Sequence, residues 1–491
     1  MDKLLTKWNV SAQQIFMYIF AAVTLFCIFG AIRYQINFLA LVPFGALIAY
    51  LCVVDFRKVF FLLLFCLPFS MEVDLPGGFA TDLPTEPLVL LLMGVSILYF
   101  LKNLPTLKGN FFRHPLTCFL VVHFLWIFIC IFTSADSFVS TKFFLAKFWY
   151  IVVYFFLSGL ILRDENALRT MIWCISVPIA ITTLYVMIRH AGYGFAFDKI
   201  NASVGPFYRN HVNYAATLSL FTPFVWYLKS AYQRFSFRWN ILWGILIIII
   251  LGIVFAYTRA AYLALIAAVC SYWIVRFKLI KLVLLVALVG SIVFASNLLT
   301  NNKYLEYAPT FEKTIAHKEF DNLVAATAKG EDVSVMERFY RWIAGVYMLK
   351  ERAVFGFGPG NFHGFYKAYT VRSFETYVSD NPEKSGIHSY YLMLGVEQGV
   401  PGIIFFVAIL FYFFYRLEIV YHRETNPIIA GFLMSAYMCM IVIVLLLIIN
   451  DLIETDKVGS FFFICLAILV NVDIQQQKRL TTKSASSPRT P

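Results

Sequence analysis

The sequence predicts an all-α integral membrane protein of about 12–14 transmembrane helices, with one large extracytoplasmic loop that itself contains helices. Two observations carry that expectation. Of its 491 residues, 60% are hydrophobic and only 14% are charged, against about 25% charged in soluble domains. Its apolar runs, such as Ile241–Tyr257 and Leu282–Leu299, are long and lack apolar/polar alternation. Only helices and closed barrels satisfy their backbone in hydrocarbon, so unbroken runs of about 20 apolar residues favour helices.

The spans expected from hydropathy cover about 11–31, 36–54, 59–70, 87–101, 115–133, 143–162 and 168–188 in the first part of the chain. They continue over about 212–229, 239–257, 260–276, 279–299, 389–415, 428–449 and 457–471. Residues 59–70 are too few to cross unaided and end at Leu67-Pro68-Phe69, which suggests a broken or re-entrant piece. The basic residues before the first apolar run resemble a signal peptide, but no small-residue cleavage site follows near Phe29–Arg33. That run is therefore expected to stay as an uncleaved first span.

Charge placement gives orientation. Lys3 and Lys7, Arg57-Lys58, Lys102 with Arg113, Arg163 with Arg169, and Arg276 with Lys281 fall in alternate connections. The intervening ones are acidic or mixed: Glu72 to Glu86, Asp136, and Asp451 to Asp456. Cytoplasmic connections hold the excess of Lys and Arg, so both termini are expected in the cytoplasm. The formal charge of +12 has the same origin, and with no soluble basic module a nucleic-acid partner is excluded. Lys147, inside a span near its outer end, is expected to snorkel.

The domain organisation expected is an N-terminal bundle over 1–299, a large outer loop over 300–387, C-terminal spans over 388–471 and a disordered cytoplasmic tail over 472–491. The loop is long enough to be functional, and helices are expected at about 311–328 and 335–351. All nine cysteines lie in apolar runs without a CxxC, so no disulfide framework follows. The histidines show no HxxxH or HExxH spacing, so no metal site and no cofactor is expected. No internal repeat is visible, which counts against a secondary transporter.

Cations on the outer side run against the orientation rule. Arg259 stands in Tyr257-Thr258-Arg259-Ala260-Ala261 at a tight outer turn; an anion clamp competes with snorkelling to headgroups. Arg338 and Arg341, with Trp342, share a helical face, and a guanidinium fork suits phosphate. A solvated face with a Glu337–Arg341 pair is the alternative. His388, in Gly386-Ile387-His388-Ser389-Tyr390-Tyr391, falls where the loop re-enters the membrane, and an imidazole there can take a proton. An interfacial structural histidine is its alternative. Gly356-Phe357-Gly358-Pro359-Gly360 reads as a helix stop and turn.

In that order, with Asn361-Phe362 after the glycines and Glu397-Gln398-Gly399-x-x-Gly402 after His388, these segments resemble the O-antigen ligase and polymerase superfamily of bacterial inner-membrane glycosyltransferases. Gly205 to Ala215, containing Arg209 and Asn213, resembles its short Asn/Tyr-Ala motif. The resemblance covers roughly residues 200–420, with Ser389 where the family often has Asn. It implies a GT-C-like fold and an active site facing the periplasm. The donor it implies is a glycan on undecaprenyl diphosphate, and the transfer is inverting and metal-independent. By resemblance His388 is the general base, and Arg259, Arg338 and Arg341 bind the diphosphate. Arg209, Asn213, Asn361 and Glu397 are implied substrate contacts. A ligase acting on lipid A–core is the first expectation, followed by a polymerase, then a protein O-oligosaccharyltransferase. A polysaccharide-lipid flippase is the alternative from another class.

Overall fold

A computed structural model of the chain describes residues 12–35, 39–40, 42–75, 79–103, 110–300, 333–370 and 386–486. The long helices, in chain order, are α1 (Ala12–Tyr34), α2 (Val42–Cys66), α3 (Thr85–Asn103), α4 (Pro115–Phe132), α5 (Ser137–Ile161) and α6 (Glu165–Ala191). They continue as α7 (His211–Lys229), α8 (Phe237–Phe255), α9 (Arg259–Arg276), α10 (Ile280–Leu299), α11 (Val333–Glu351), α12 (Tyr390–Arg423), α13 (Pro427–Leu446) and α14 (Asp456–Ser486). Eleven helices among the described residues are long and apolar enough to cross a membrane. The other long ones are α2, interrupted by Asp55, Arg57 and Lys58, the more polar α7, and α11.

Local chemistry starts the helices. Asp136 accepts from the backbone N–H groups of Phe138 and Val139 at 3.0 and 3.2 Å. Asp164 caps α6 through Ala167 N, and Asn210 caps α7 through Asn213 N, both at 2.9 Å. Each satisfies a donor that the first turn leaves open. Pro115 and Pro427 occupy first-turn positions, where a missing N–H costs nothing.

The apolar surface divides between core and perimeter. The most apolar stretch of α14 is 89% buried and that of α13 is 72% buried, whereas those of α1 and α10 are only 6% buried. The last two helices therefore form the centre of the bundle, and α1 and α10 turn their side chains outward, as a lipid-facing helix does.

Four features differ from expectation. The pieces expected at 36–54 and 59–70 are the two arms of α2, meeting at Asp55 (φ −152°, ψ 81°); the expected charged connection shrinks to one residue. After a 3-10 turn at Leu67–Phe69, a β-hairpin pairs β1 (Met71–Leu75) with β2 (Phe79–Leu83), Met71 opposite Leu83. Third, α14 runs on to Ser486, so the tail expected to be disordered from 472 is helical as far as 486. Its polar side chains bond to the bundle: Gln476 donates to Val420 O at 2.9 Å and Glu424 at 3.0 Å, and Arg479 pairs with Glu424 at 3.3 Å. Fourth, Lys147 does not snorkel; it is paired inward, as described below. The helix expected at about 311–328 lies outside the described residues.

Alternating helices sort the connections to two ends. At one end, Asn426 bonds Glu165, His422 bonds Val275 O, and Asp473 meets both His114 and Arg416. The opposite end gathers the β-hairpin, the 192–210 connection, the Tyr257–Arg259 turn, α11 with the segment after it, and residues 447–457.

Candidate functional site

His388 lies at that second end, immediately before α12. It adopts a left-handed backbone (φ 56°), a conformation that a non-glycine residue holds only when its surroundings enforce it. Three neighbours do so. Its carbonyl accepts from Trp342 Nε1 at 3.4 Å. Tyr390 N donates to Leu447 O and Asn450 O at 2.9 and 3.2 Å. Gly386 lies so close to Asp451 that an added Cβ would meet its Oδ2 at 2.1 Å.

The amphipathic helix α11 brings two arginines to the same place. Arg341, only 3% exposed, donates to Gly386 O at 3.3 Å, and Arg338 Nε donates to Ile449 O at 3.3 Å. Burial depresses the His388 imidazole to about 3, and the charges of Arg341 and Arg338 add to that. At neutral pH the ring is uncharged, and its buried Nδ1 has no hydrogen-bond partner among the described residues. A neutral imidazole has a nitrogen able to accept a proton, and guanidinium groups such as the two beside it are able to bind an anion.

Carboxylates complete the surroundings. Asp451, held above the usual carboxylate range by burial, feels both Arg341 and Arg209. Glu454 binds Lys147 Nζ through both oxygens at 2.8 Å and lies close to Tyr390. Next to this cluster is a cavity of about 180 Å³. Its charged lining consists of Glu72, Asp82, Glu454 and Asp456 against Arg209 and Lys457, with Asn213 and Phe207 beside them. Arg209 pairs with Glu72 across it.

The expected site residues therefore divide. His388, Arg338 and Arg341 come together, and Arg209 and Asn213 line the adjoining cavity. Arg259 opens α9, half-buried. The neighbouring Thr258 donates to His211 O at 3.4 Å, and the Tyr257 hydroxyl donates to Phe195 O at 2.8 Å. This turn thus packs on the start of α7, which carries Asn213.

Asn361 and Glu397 sit differently from the substrate contacts expected of them. Asn361 Nδ2 donates to Ser134 Oγ at 2.6 Å and to Phe357 O at 2.8 Å, and Glu397 accepts from Gly360 N at 2.9 Å and Phe362 N at 3.2 Å. Both are almost fully buried and hold the glycine-rich turn. That turn lies along α12, with Phe357 N bonded to Val396 O and Gly358 N to Glu397 O. Gly356 and Gly399 have positive φ (68° and 71°), and a Cβ on either would strike the facing backbone at 2.4 or 2.0 Å.

Asp451, Glu454, Asp82, Asp456 and Lys457 were not foreseen at the site, because acidic connections had been used only for orientation. The signal available was Lys147: an ionisable residue at membrane depth calls for a partner, and the acids of the 451–456 connection could supply it.

Residues 244–407 match the family model described as O-antigen ligase (Wzy_C). No curated protein matches the chain. The matched segment runs from α8 into α12 and contains Arg259, Arg338, Arg341 and His388, so this third of an α-helical multi-pass membrane protein is similar to the O-antigen ligase family.

Proposed function

We propose that the protein transfers a glycan from undecaprenyl diphosphate to an acceptor hydroxyl, lipid A–core being the acceptor favoured, at the periplasmic face of the bacterial inner membrane. The observation that carries this reading is the neutral imidazole of His388 beside Arg338 and Arg341, within an O-antigen ligase domain. The acceptor oxygen attacks the anomeric carbon from the face opposite the diphosphate. As that C–O bond forms, the bond to the diphosphate oxygen breaks and configuration inverts. The acceptor proton passes to His388. Undecaprenyl diphosphate leaves with the bonding electron pair, so no acid is required at the departing oxygen.

The arginines serve both ends of this step. Their charge offsets the negative charge growing on the leaving group, and Arg259 is assigned the same task from the start of α9. A diphosphate seated on them also counters their pull on His388. Its basicity then rises on donor binding, although the part lost to burial stays. General-base help of this kind is worth about 10²–10⁴ in rate.

The test is release of undecaprenyl diphosphate by purified protein supplied with lipid-linked glycan and lipid A–core, with and without EDTA. Wild type should turn over in both, and His388→Ala should lose about 10²–10⁴ of the rate while melting normally. Equal rates for a folded mutant would remove His388 from catalysis, and inhibition by EDTA would overturn metal independence. Transfer to a second lipid-linked repeat but not to lipid A–core would change the ligase to a polymerase.

A further inference from the structure

We propose that the cavity between the β-hairpin, the start of α7 and the 454–457 connection is a subsite for one uncharged sugar ring and excludes acidic sugars. The inference deepens the transfer reading, and rests on it for what the sugar is attached to.

Size gives the first constraint. A cavity of about 180 Å³ is smaller than the roughly 300–1,000 Å³ of pockets for drug-sized ligands, so it suits one ring rather than an oligosaccharide. Its chemistry gives the second. Carboxylates accept from vicinal hydroxyls, and an amide both donates and accepts. Phe207 adds an apolar ring for the C–H face of a sugar. Asn213 is 8% exposed and lines the cavity, yet its side-chain amide has no partner among the described residues. An amide that faces the cavity with both its donor and acceptor uncommitted can bond a ligand with hydroxyl or N-acyl groups.

Charge decides the class of sugar. Both cations of the lining are already engaged: Arg209 with Glu72, and Lys457 with Asp456 at 3.4 Å and Ser70 O at 3.1 Å. Glu454 is matched by Lys147. The carboxylate left over is Asp82, which has no ion pair or side-chain hydrogen bond among the described residues. A uronate entering here would find no free cation and one facing anion, a repulsive element of the kind that sets specificity. The phosphate and sugar sites are thus separate. Anions belong beside Arg338 and Arg341, and neutral rings belong beside Asp82 and Asn213.

Methyl β-glucoside and methyl β-glucuronide differ only at C6, and their binding to the full chain in nanodiscs can be read by saturation-transfer NMR at pH 7.5. The glucoside should bind at least about tenfold more tightly than the glucuronide. Asn213→Ala should weaken the glucoside, and Asp82→Asn should bring the glucuronide to within about threefold of it. Equal binding of the two glycosides to wild type overturns the exclusion of acids. Binding of neither overturns the subsite, even where undecaprenyl diphosphate release shows that transfer proceeds. Selective glucoside binding without any release upholds the subsite while the transfer reading falls.

Discussion

Lys147 Nζ stands 2.8 Å from each carboxylate oxygen of Glu454, an ion pair between α5 and the short connection ahead of the central helix α14. The lysine side chain is 10% exposed and the glutamate 27%. Removing one partner strands the other charge, at a cost on the order of 3 kcal/mol. Lys147→Met should therefore lower the melting temperature. Lys147→Met/Glu454→Gln should melt well above the sum of the two single losses, because residues in contact are not additive. Additive melting shifts would mean that the pair carries no coupling.

The glycine-rich turn provides a test of fold against substrate binding. Asn361→Ala removes bonds to Ser134 and Phe357 and leaves a buried carbonyl less satisfied, at about 1–3 kcal/mol. Gly356→Ala should be worse, because φ is 68° and the new Cβ would lie 2.4 Å from the Glu397 carbonyl carbon. The folded fraction of Asn361→Ala should keep the wild-type KM for donor. An unchanged melt with a raised KM would return Asn361 to the substrate.

His388 predicts an unusual pH profile. Its imidazole is depressed to about 3 in the empty site, and kcat/KM reports the free enzyme. Activity therefore should not fall on its account between pH 8 and about pH 5. Bound diphosphate opposes the arginines, so the acid limb of kcat should lie at higher pH than that of kcat/KM. Arg341→Gln removes the second cause of the depression and should move the kcat/KM limb upward. A limb that stays in place would mean that Arg341 does not act on the imidazole.

These residues show what the sequence could and could not reveal. The meeting of His388, Arg338 and Arg341 was legible because they lie in ordered motifs within one stretch of chain, and the helix α11 brings the two arginines to one face. The Lys147–Glu454 pair joins residues 307 positions apart, and no local pattern carries such a distance. Asn361 and Glu397 were expected to contact substrate, and in the structure their side chains bond Ser134 and the glycine-rich turn. A motif marks a position that matters without saying whether its side chain meets a ligand or a neighbouring backbone. The polar tail gives no local sign that it is helical as far as 486, because its anchors are distant in sequence: Gln476 bonds Val420 O and Glu424, and Gln475 bonds the Arg163 carbonyl. The bend of α2 at Asp55 was visible as a cluster of charge, while the hairpin after it gave only two short segments among apolar spans.

Selection at the cavity should itself depend on pH. Burial, then the charge of Asp456, raises the Asp82 carboxyl to about 6, while Lys457 and Arg209 pull it down and Glu72 adds to the rise. Above that value Asp82 is charged and repels a uronate; below it the group is protonated, and the repulsion is lost. A free uronic acid stays ionised through this range, as ordinary carboxylates do at about 4. The preference for methyl glucoside over methyl glucuronide should therefore narrow severalfold between pH 7.5 and pH 5, and the Asp82→Asn variant should show a flat ratio. A wild-type ratio that is equally flat would place the discrimination elsewhere in the lining. A variant that keeps the wild-type slope would assign it to a group other than Asp82.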